Sequence, residues 1–193
     1  MQFMADVHIE CDQCQGKRFQ SEILEIKFQE KNIFELLQCT VAEALDFFTE
    51  HGQKKIAQKL KALDDVGLGY VALGQSSATL SGGEAQRIKL ASFLLKGQNE
   101  AKTLFIFDEP TTGLHLHDIK KLLKSFNALI DKGHSILLVE HHMDVVKSAD
   151  YVIDLGPEAG EHGGNLVVMG TPEEVANHPE SYTGQALKKY LLA

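Results

Sequence analysis

Leu80-Ser81-Gly82-Gly83-Glu84-Ala85-Gln86-Arg87 constrains this chain more than any other stretch, because it opens a helix in a way that propensity alone disfavours. Ser81 followed by Glu84 has the form of a capping box, in which side chain and backbone satisfy each other across the first turn. Ile88, Leu90, Ala91, Leu94 and Leu95 carry the helical period onward. Capping accounts for Ser81 and Glu84 but not for Gly82 and Gly83, each of which costs a helix roughly 1 kcal/mol against alanine. Bare backbone at a helix N-terminus suits a ligand that must approach closely, and such an end attracts anions such as phosphate. Downstream, Thr103-Leu104-Phe105-Ile106-Phe107 reads as a buried strand, with the carboxylates of Asp108 and Glu109 at its end and Pro110 after them.

The chain has 193 residues, 44% of them hydrophobic, enough to bury a core and to form one or two domains. Its net charge of −8 excludes a global basic field of the kind that marks many nucleic-acid binders, while leaving room for a local basic face. No apolar run is long enough to span a bilayer and no charged-then-apolar leader follows Met1, so a cytoplasmic protein with no membrane partner is expected.

Two of the three cysteines form the pair Cys11-Asp12-Gln13-Cys14, followed by Gln15-Gly16. This is half of a zinc knuckle, two thiolates on a tight turn that can reach one tetrahedral ion. A structural zinc takes four protein ligands, and no second Cys-x2-Cys occurs; His8 and Cys39 are the remaining candidates, without paired spacing. The other reading is an empty half-knuckle. Leu24, Ile26 and Phe28 alternate with charged residues and predict a half-buried strand, with a turn beginning at Lys31-Asn32. Thr40 and Glu43 form a second capping box, opening a helix through Phe48 that stops near Gly52. A further helix carries Ile56, Leu60, Leu63 and Val66 on one face.

After Asp108-Glu109-Pro110, the segment Thr111-Thr112-Gly113-Leu114-His115 makes a loop, and a helix follows with Ile119, Leu122, Leu123, Phe126, Leu129 and Ile130 on one face. It stops at Gly133, and Ile136-Leu137-Leu138-Val139 forms the next strand, ending in Glu140-His141-His142. Strand, helix and strand in this order predict a parallel pair, with active residues at the carboxyl ends. Two short strands at Tyr151-Val152-Ile153-Asp154-Leu155 and Leu166-Val167-Val168-Met169 follow, joined by a glycine-rich turn. Thr171-Pro172-Glu173-Glu174 caps another helix, and a last one runs from about Gly184 to Leu191.

The glycine-bearing helix start and the strand ending in Asp108-Glu109 resemble the signature and Walker B segments of ABC-type ATPases. That resemblance implies ATP and Mg²⁺ as cofactors, with Ser81, Gly82, Gly83, Glu84 and Gln86 on the nucleotide side of the signature. Asp108 would hold the magnesium, which keeps part of its hydration shell and uses few carboxylates. Glu109 would orient the attacking water, and His141, ending the second parallel strand, would donate to the γ-phosphate. Of the two adjacent histidines, His142 is assigned to the surface.

Finer wording narrows the resemblance. Cys11-x2-Cys14-Gln15-Gly16-Lys17-Arg18, Asp65-Val66-Gly67-Leu68-Gly69-Tyr70, Asp108 to His115, Glu140-His141, Ile153 to Gly160 and Gly170 to Val175 are similar to the C-terminal end of the UvrA family. The expected architecture is therefore α/β: the C-terminal part of an ABC ATPase domain, a parallel sheet with flanking helices, at 73–193. A small, mainly helical region with the half-knuckle precedes it at 1–72. The resemblance implies ATP-driven recognition of DNA damage in nucleotide excision repair and the SOS response, zinc modules, dimerisation, and DNA and a UvrB-like partner. It also makes Thr112 to His115 the D-loop equivalent and His141 the switch histidine. His142 stands where the family carries asparagine and Leu116 where it carries an aromatic residue, which keeps a paralogue outside repair open.

No Gly-x4-Gly-Lys-[Ser/Thr] occurs in the sequence, so the backbone cradle and lysine that hold the β- and γ-phosphates are absent from it. The expectation is a C-terminal piece of a UvrA-like protein, inactive alone and completed by an N-terminal portion or a partner chain. The alternative is a non-enzymatic remnant or interaction module. A transporter ATPase is disfavoured by the cysteine pair and by Gly113-Leu114-His115.

Overall fold

The computed structural model describes residues 11–95, 101–158 and 163–191. His8 and the Ala159-Gly160 part of the glycine-rich turn lie outside the described residues. The chain divides into two compact units, Met1–Leu95 and Lys96–Ala193. The signature helix thus belongs to the first unit, whereas the division read from motifs, at 72/73, assigns it to the ATPase half. Its helix packs on the helix before it.

In the first unit, Ser21–Leu24 is a short helix, α1, and Lys27–Phe28 (β1) pairs antiparallel with Lys31–Asn32 (β2). The expected strand across Leu24 to Phe28 is therefore mostly helix and hairpin. The turn is Gln29-Glu30, both with positive φ (46° and 68°), and Lys31-Asn32 lie in the returning strand. Two consecutive left-handed residues make the kind of turn that joins tight hairpins, here without the glycine or asparagine that usually announces it. Asn32 then caps α2, Ile33–Gln38: its Oδ1 accepts from the Glu35 amide at 2.9 Å, and Glu35 Oε2 accepts from the Asn32 amide at 2.7 Å.

Thr40 caps α3, Val41–Glu50, with Glu43 completing the box as expected. α4, Lys54–Asp65, packs against it, and Val41, Ala44, Phe48 and Leu60 form the core between them. Cys39 packs on this core, and its thiol donates to the Glu35 carbonyl (3.4 Å). α5, Gly82–Leu94, opens at Ser81 and buries Arg87, Leu90 and Ala91.

In the second unit, Leu104–Asp108 (β3) and Ser135–Val139 (β4) are parallel, in register from Leu104 opposite Ser135 to Asp108 opposite Val139. The crossover is α6, Leu116–Asp131, which buries Ile119, Leu122, Ser125, Phe126 and Leu129, with Phe126 5.1 Å from the Phe107 ring. Ile130, expected on that face, is exposed. β3 is buried on one face only: Phe105 and Phe107 point into the core, while Leu104 (59% exposed) and Ile106 (64%) lie on the open side with Asp108.

β5, Val152–Gly156, and β6, Asn165–Gly170, form an antiparallel pair with a bulge at Asp154/Leu155. The parallel arrangement expected of the sheet therefore holds for β3 and β4 alone among the described strands. Met143–Val146 (α7), Pro172–Ala176 (α8) and Tyr182–Leu191 (α9) surround a small core of Val146, Val175, Ala176 and Leu187. Asp154 anchors the start of α9 by accepting from the Ser181 hydroxyl (2.6 Å) and the Thr183 hydroxyl (2.7 Å). Ser181 Oγ in turn accepts from the Gly184 amide (2.7 Å). Gly184 is required by packing, since a Cβ there would collide with the Val175 carbonyl oxygen. Among the described residues no helix is long and apolar enough to cross a membrane.

Candidate functional site

The signature start, in the first unit, is built from the backbone outward. Ser81 Oγ accepts from the Glu84 amide (3.2 Å), and Glu84 Oε2 accepts from the Ser81 amide (2.7 Å). Glu84 has a second task that the sequence pattern does not reveal: its Oε1 accepts from the Tyr70 hydroxyl at 2.7 Å. The same Tyr70 oxygen accepts from the fully buried Arg87 guanidinium at 3.2 Å. The hydrogen bond from Tyr70, then that from the Ser81 backbone, holds the Glu84 carboxyl below its ordinary range. Burial, then the bond to Glu84, pushes the Tyr70 phenol up. Helix start, tyrosine and arginine thus form one connected polar network.

The fold does not demand Gly82. Neither glycine of this start takes a positive φ, and a Cβ added at Gly82 would meet nothing within 4 Å. The contrast with Gly184 separates a glycine kept for packing from one that leaves an open approach to backbone N–H groups. Gln86 lies half-buried on the first turns of the same helix.

In the second unit, the two parallel strands deliver their carboxyl ends side by side. Asp108 is the last residue of β3, on its exposed face. Glu109 follows with φ 45°, and its amide donates to the Val139 carbonyl at 2.9 Å. A left-handed glutamate is costly, and such strain persists only where the surroundings over-determine it. Its consequence is direction: Glu109 Oε1 lies 3.4 Å from His141 Nδ1 beyond the end of β4, both side chains more than half exposed. The structure therefore brings Glu109 and His141 together at the adjacent ends of β3 and β4. His142, assigned to the surface, is the less exposed of the two histidines, with its side chain 36% exposed and Nδ1 buried. It stands at the N-cap of α7, with extended backbone.

The cysteine pair has knuckle-like backbone. The Gln15 amide donates to the Cys11 carbonyl (2.7 Å) and the Lys17 amide to the Cys14 carbonyl (2.8 Å), with positive φ at Gln15 and Gly16. Backbone donors at Cys14 and Gln13 lower the Cys11 thiol below its ordinary value, which favours the thiolate a metal needs. Among the described residues no group of three or more His, Cys, Asp or Glu converges that could hold an ion, and Cys39 is committed to the first unit's core. Two thiolates supply half of a zinc ligand set, so the residues described do not by themselves fit a closed zinc site.

Glu140, Tyr70 and Asp154 carry no local sequence signal for the bonds they make. Their hydrogen bonds reach partners 29, 14 and 27 residues away, beyond any local pattern.

A family model described as ABC transporter matches residues 5–112. UvrABC system protein A of Clostridium acetobutylicum is 56% identical over 191 residues, covering 99% of this chain and 20% of that protein. The protein of the same name from Aquifex aeolicus is 54% identical over the same length and with the same coverage. Among solved structures, the crystal structure of UvrA2 from Deinococcus radiodurans matches with a TM-score of 0.79 and 46% identity, covering 94% of this chain and 22% of that one. The chain spans about one fifth of the length of the curated relatives it matches.

Proposed function

The chain belongs to the ABC ATPase family, and from that premise we propose that it supplies the water-activating strand ends of one UvrA-like nucleotide site and, separately, the signature that closes over the nucleotide of an opposing module. The observation that carries this is the pair at the ends of β3 and β4, a strained Glu109 with His141 at 3.4 Å. Glu109 orients and polarises a water, and His141 donates to the terminal phosphate oxygen; phosphoryl transfer needs little else from a protein than positioning and charge. Asp108 would hold magnesium, which supplies charge neutralisation when bound. Ser81, Gly82, Gly83, Glu84 and Gln86 would face a nucleotide through the open helix start, where backbone donors and helix dipole favour an anion.

The whole-protein role follows the relatives: ATP-driven handling of DNA damage in excision repair, in the cytoplasm, with DNA, a UvrB-like partner and a second ATPase module. Residues 73–193 form the nucleotide half in this reading, and 1–72 the helical region that supports it. Zinc at Cys11 and Cys14 belongs to the same reading, with its remaining ligands supplied from elsewhere.

The sequence contains no phosphate-binding loop, so the 193-residue chain alone is expected to release no phosphate from ATP above a protein-free blank. Joined to the preceding segment of a relative, it should hydrolyse ATP with magnesium. Magnesium-dependent turnover by the chain alone that disappears in Glu109→Gln would overturn the division of labour, and an inert joined protein would overturn the site.

A further inference from the structure

Glu140 is the residue between β4 and His141, half-buried, and its carboxylate is saturated. Oε1 accepts from the Thr111 amide at 3.0 Å and the Thr111 hydroxyl at 2.5 Å. Oε2 accepts from the amides of His141 at 3.0 Å and His142 at 3.2 Å. An ionised carboxylate offers about four lone-pair sites, and all four are used here on the loops that leave the two parallel strands.

The placement of those donors gives the carboxylate a purpose. Glu109 lies between two ties to the end of β4: its own amide to the Val139 carbonyl, and Thr111 to Glu140. Pro110 between them is fully buried and has no N–H to give. With both flanks held, the left-handed backbone of Glu109 cannot relax by swinging the loop away. On the other side, the Glu140 carboxylate fixes the backbone of His141. One side chain therefore sets both halves of the pair that stands 3.4 Å apart.

We propose that Glu140 is a positioning residue, a carboxylate clamp that holds Glu109 and His141 in register across the ends of β3 and β4. It touches neither nucleotide nor water and acts through its two neighbours. This rests on the reading of Glu109 and His141 as the working pair of the site.

Glu140→Gln makes a specific prediction, because an amide has one acceptor face and one donor face. Its oxygen is best kept toward the His141 and His142 amides, which can only donate. Its NH₂ can then meet the Thr111 hydroxyl as an acceptor, but the Thr111 amide has nothing left to donate to. In the 193-residue chain, amide hydrogen exchange by NMR should be roughly tenfold faster at Thr111 in Glu140→Gln, with His141 and His142 little changed.

The positioning role is read by a double-mutant cycle at fixed pH. Glu109→Gln should shift the His141 ring Hε1 resonance in the parent chain. In the Glu140→Gln background that shift should fall by about half or more. A released Thr111 amide with undiminished coupling would reduce Glu140 to a loop fastener and overturn the proposal. So would a parent chain in which Glu109→Gln leaves the His141 ring unmoved. Should Glu140→Gln fail to fold, the same cycle with Thr111→Val, which removes one donor and spares the carboxylate, decides the question on the same criterion. None of these signals depends on ATP, so an inert nucleotide site and an absent clamp give separate readouts.

Discussion

Gly83→Asp is expected to leave the first unit folded and to abolish ATP-driven closure in a version of this protein that carries a phosphate-binding loop. The helix it opens ends in roughly half a positive charge, and a carboxylate in the first turn suits that dipole to within about 1 kcal/mol. As a change of cap alone it is therefore mild. Ser81 and Glu84 keep their reciprocal bonds, since neither uses the Gly83 side. In the ABC arrangement, however, this helix start closes over the nucleotide held by an opposing module. There an aspartate fills the open backbone and sets a negative charge against phosphate. Losing a preorganised backbone donor to a reacting oxyanion costs about a hundredfold or more in turnover. Thermal unfolding of the chain and phosphate release by the completed protein, measured on the same variant, test the two halves of the statement. Ordinary turnover with an ordinary melting curve would leave Gly83 as part of a cap and nothing more.

The second large effect concerns stability. Arg87 is wholly buried in α5 and donates to Tyr70, which holds Glu84, which holds the Ser81 amide. Arg87→Ala removes both the packed stem and the buried charge, and is expected to cost about 3–5 kcal/mol. Arg87→Met removes the charge but keeps most of the stem, and should cost less than Arg87→Ala by the packing of that stem. Urea unfolding of the chain followed by circular dichroism separates the two. Equal, small losses would mean that neither the carbon stem nor the guanidinium contributes much. Equal, large losses would mean the charge itself is indispensable.

What the sequence makes legible here is chemistry that closes within four residues. The boxes at Ser81, Thr40 and Thr171 lie where serine or threonine and glutamate three positions on put them. Asn32 with Glu35 obeys the same rule and could have been read, but the apparent alternation from Leu24 to Phe28 directs attention to a strand. That alternation is a coincidence of a short helix and a two-residue strand, and the turn between β1 and β2 uses glutamine and glutamate at positions where no steric signal marks them. The run Thr103 to Phe107 is rightly a strand and wrongly a buried one, since a continuous apolar run cannot say which face another layer covers. The strand-end pair was legible because parallel strands bring their last residues together. The clamp that holds it was not, because Glu140 meets Thr111 across 29 residues and a glutamate before two histidines has no periodic signature.

The positive φ of Glu109 sets a direction for decay. A glutamate codon becomes a glycine codon by one base change, and glycine takes freely the left-handed backbone that costs glutamate about 1–2 kcal/mol. Under the proposed role of Glu109, folding and chemistry pull this position in opposite directions: the fold gains from losing the side chain, and hydrolysis would need it. A descendant released from turnover would drift toward glycine at 109 long before its core eroded, and its capped helices and paired strands would stay in place. Position 109 is therefore a gauge of use, readable from genomes without a single assay: a lineage that keeps glutamate there carries a fold held slightly less stable than it could be, for the sake of one carboxylate.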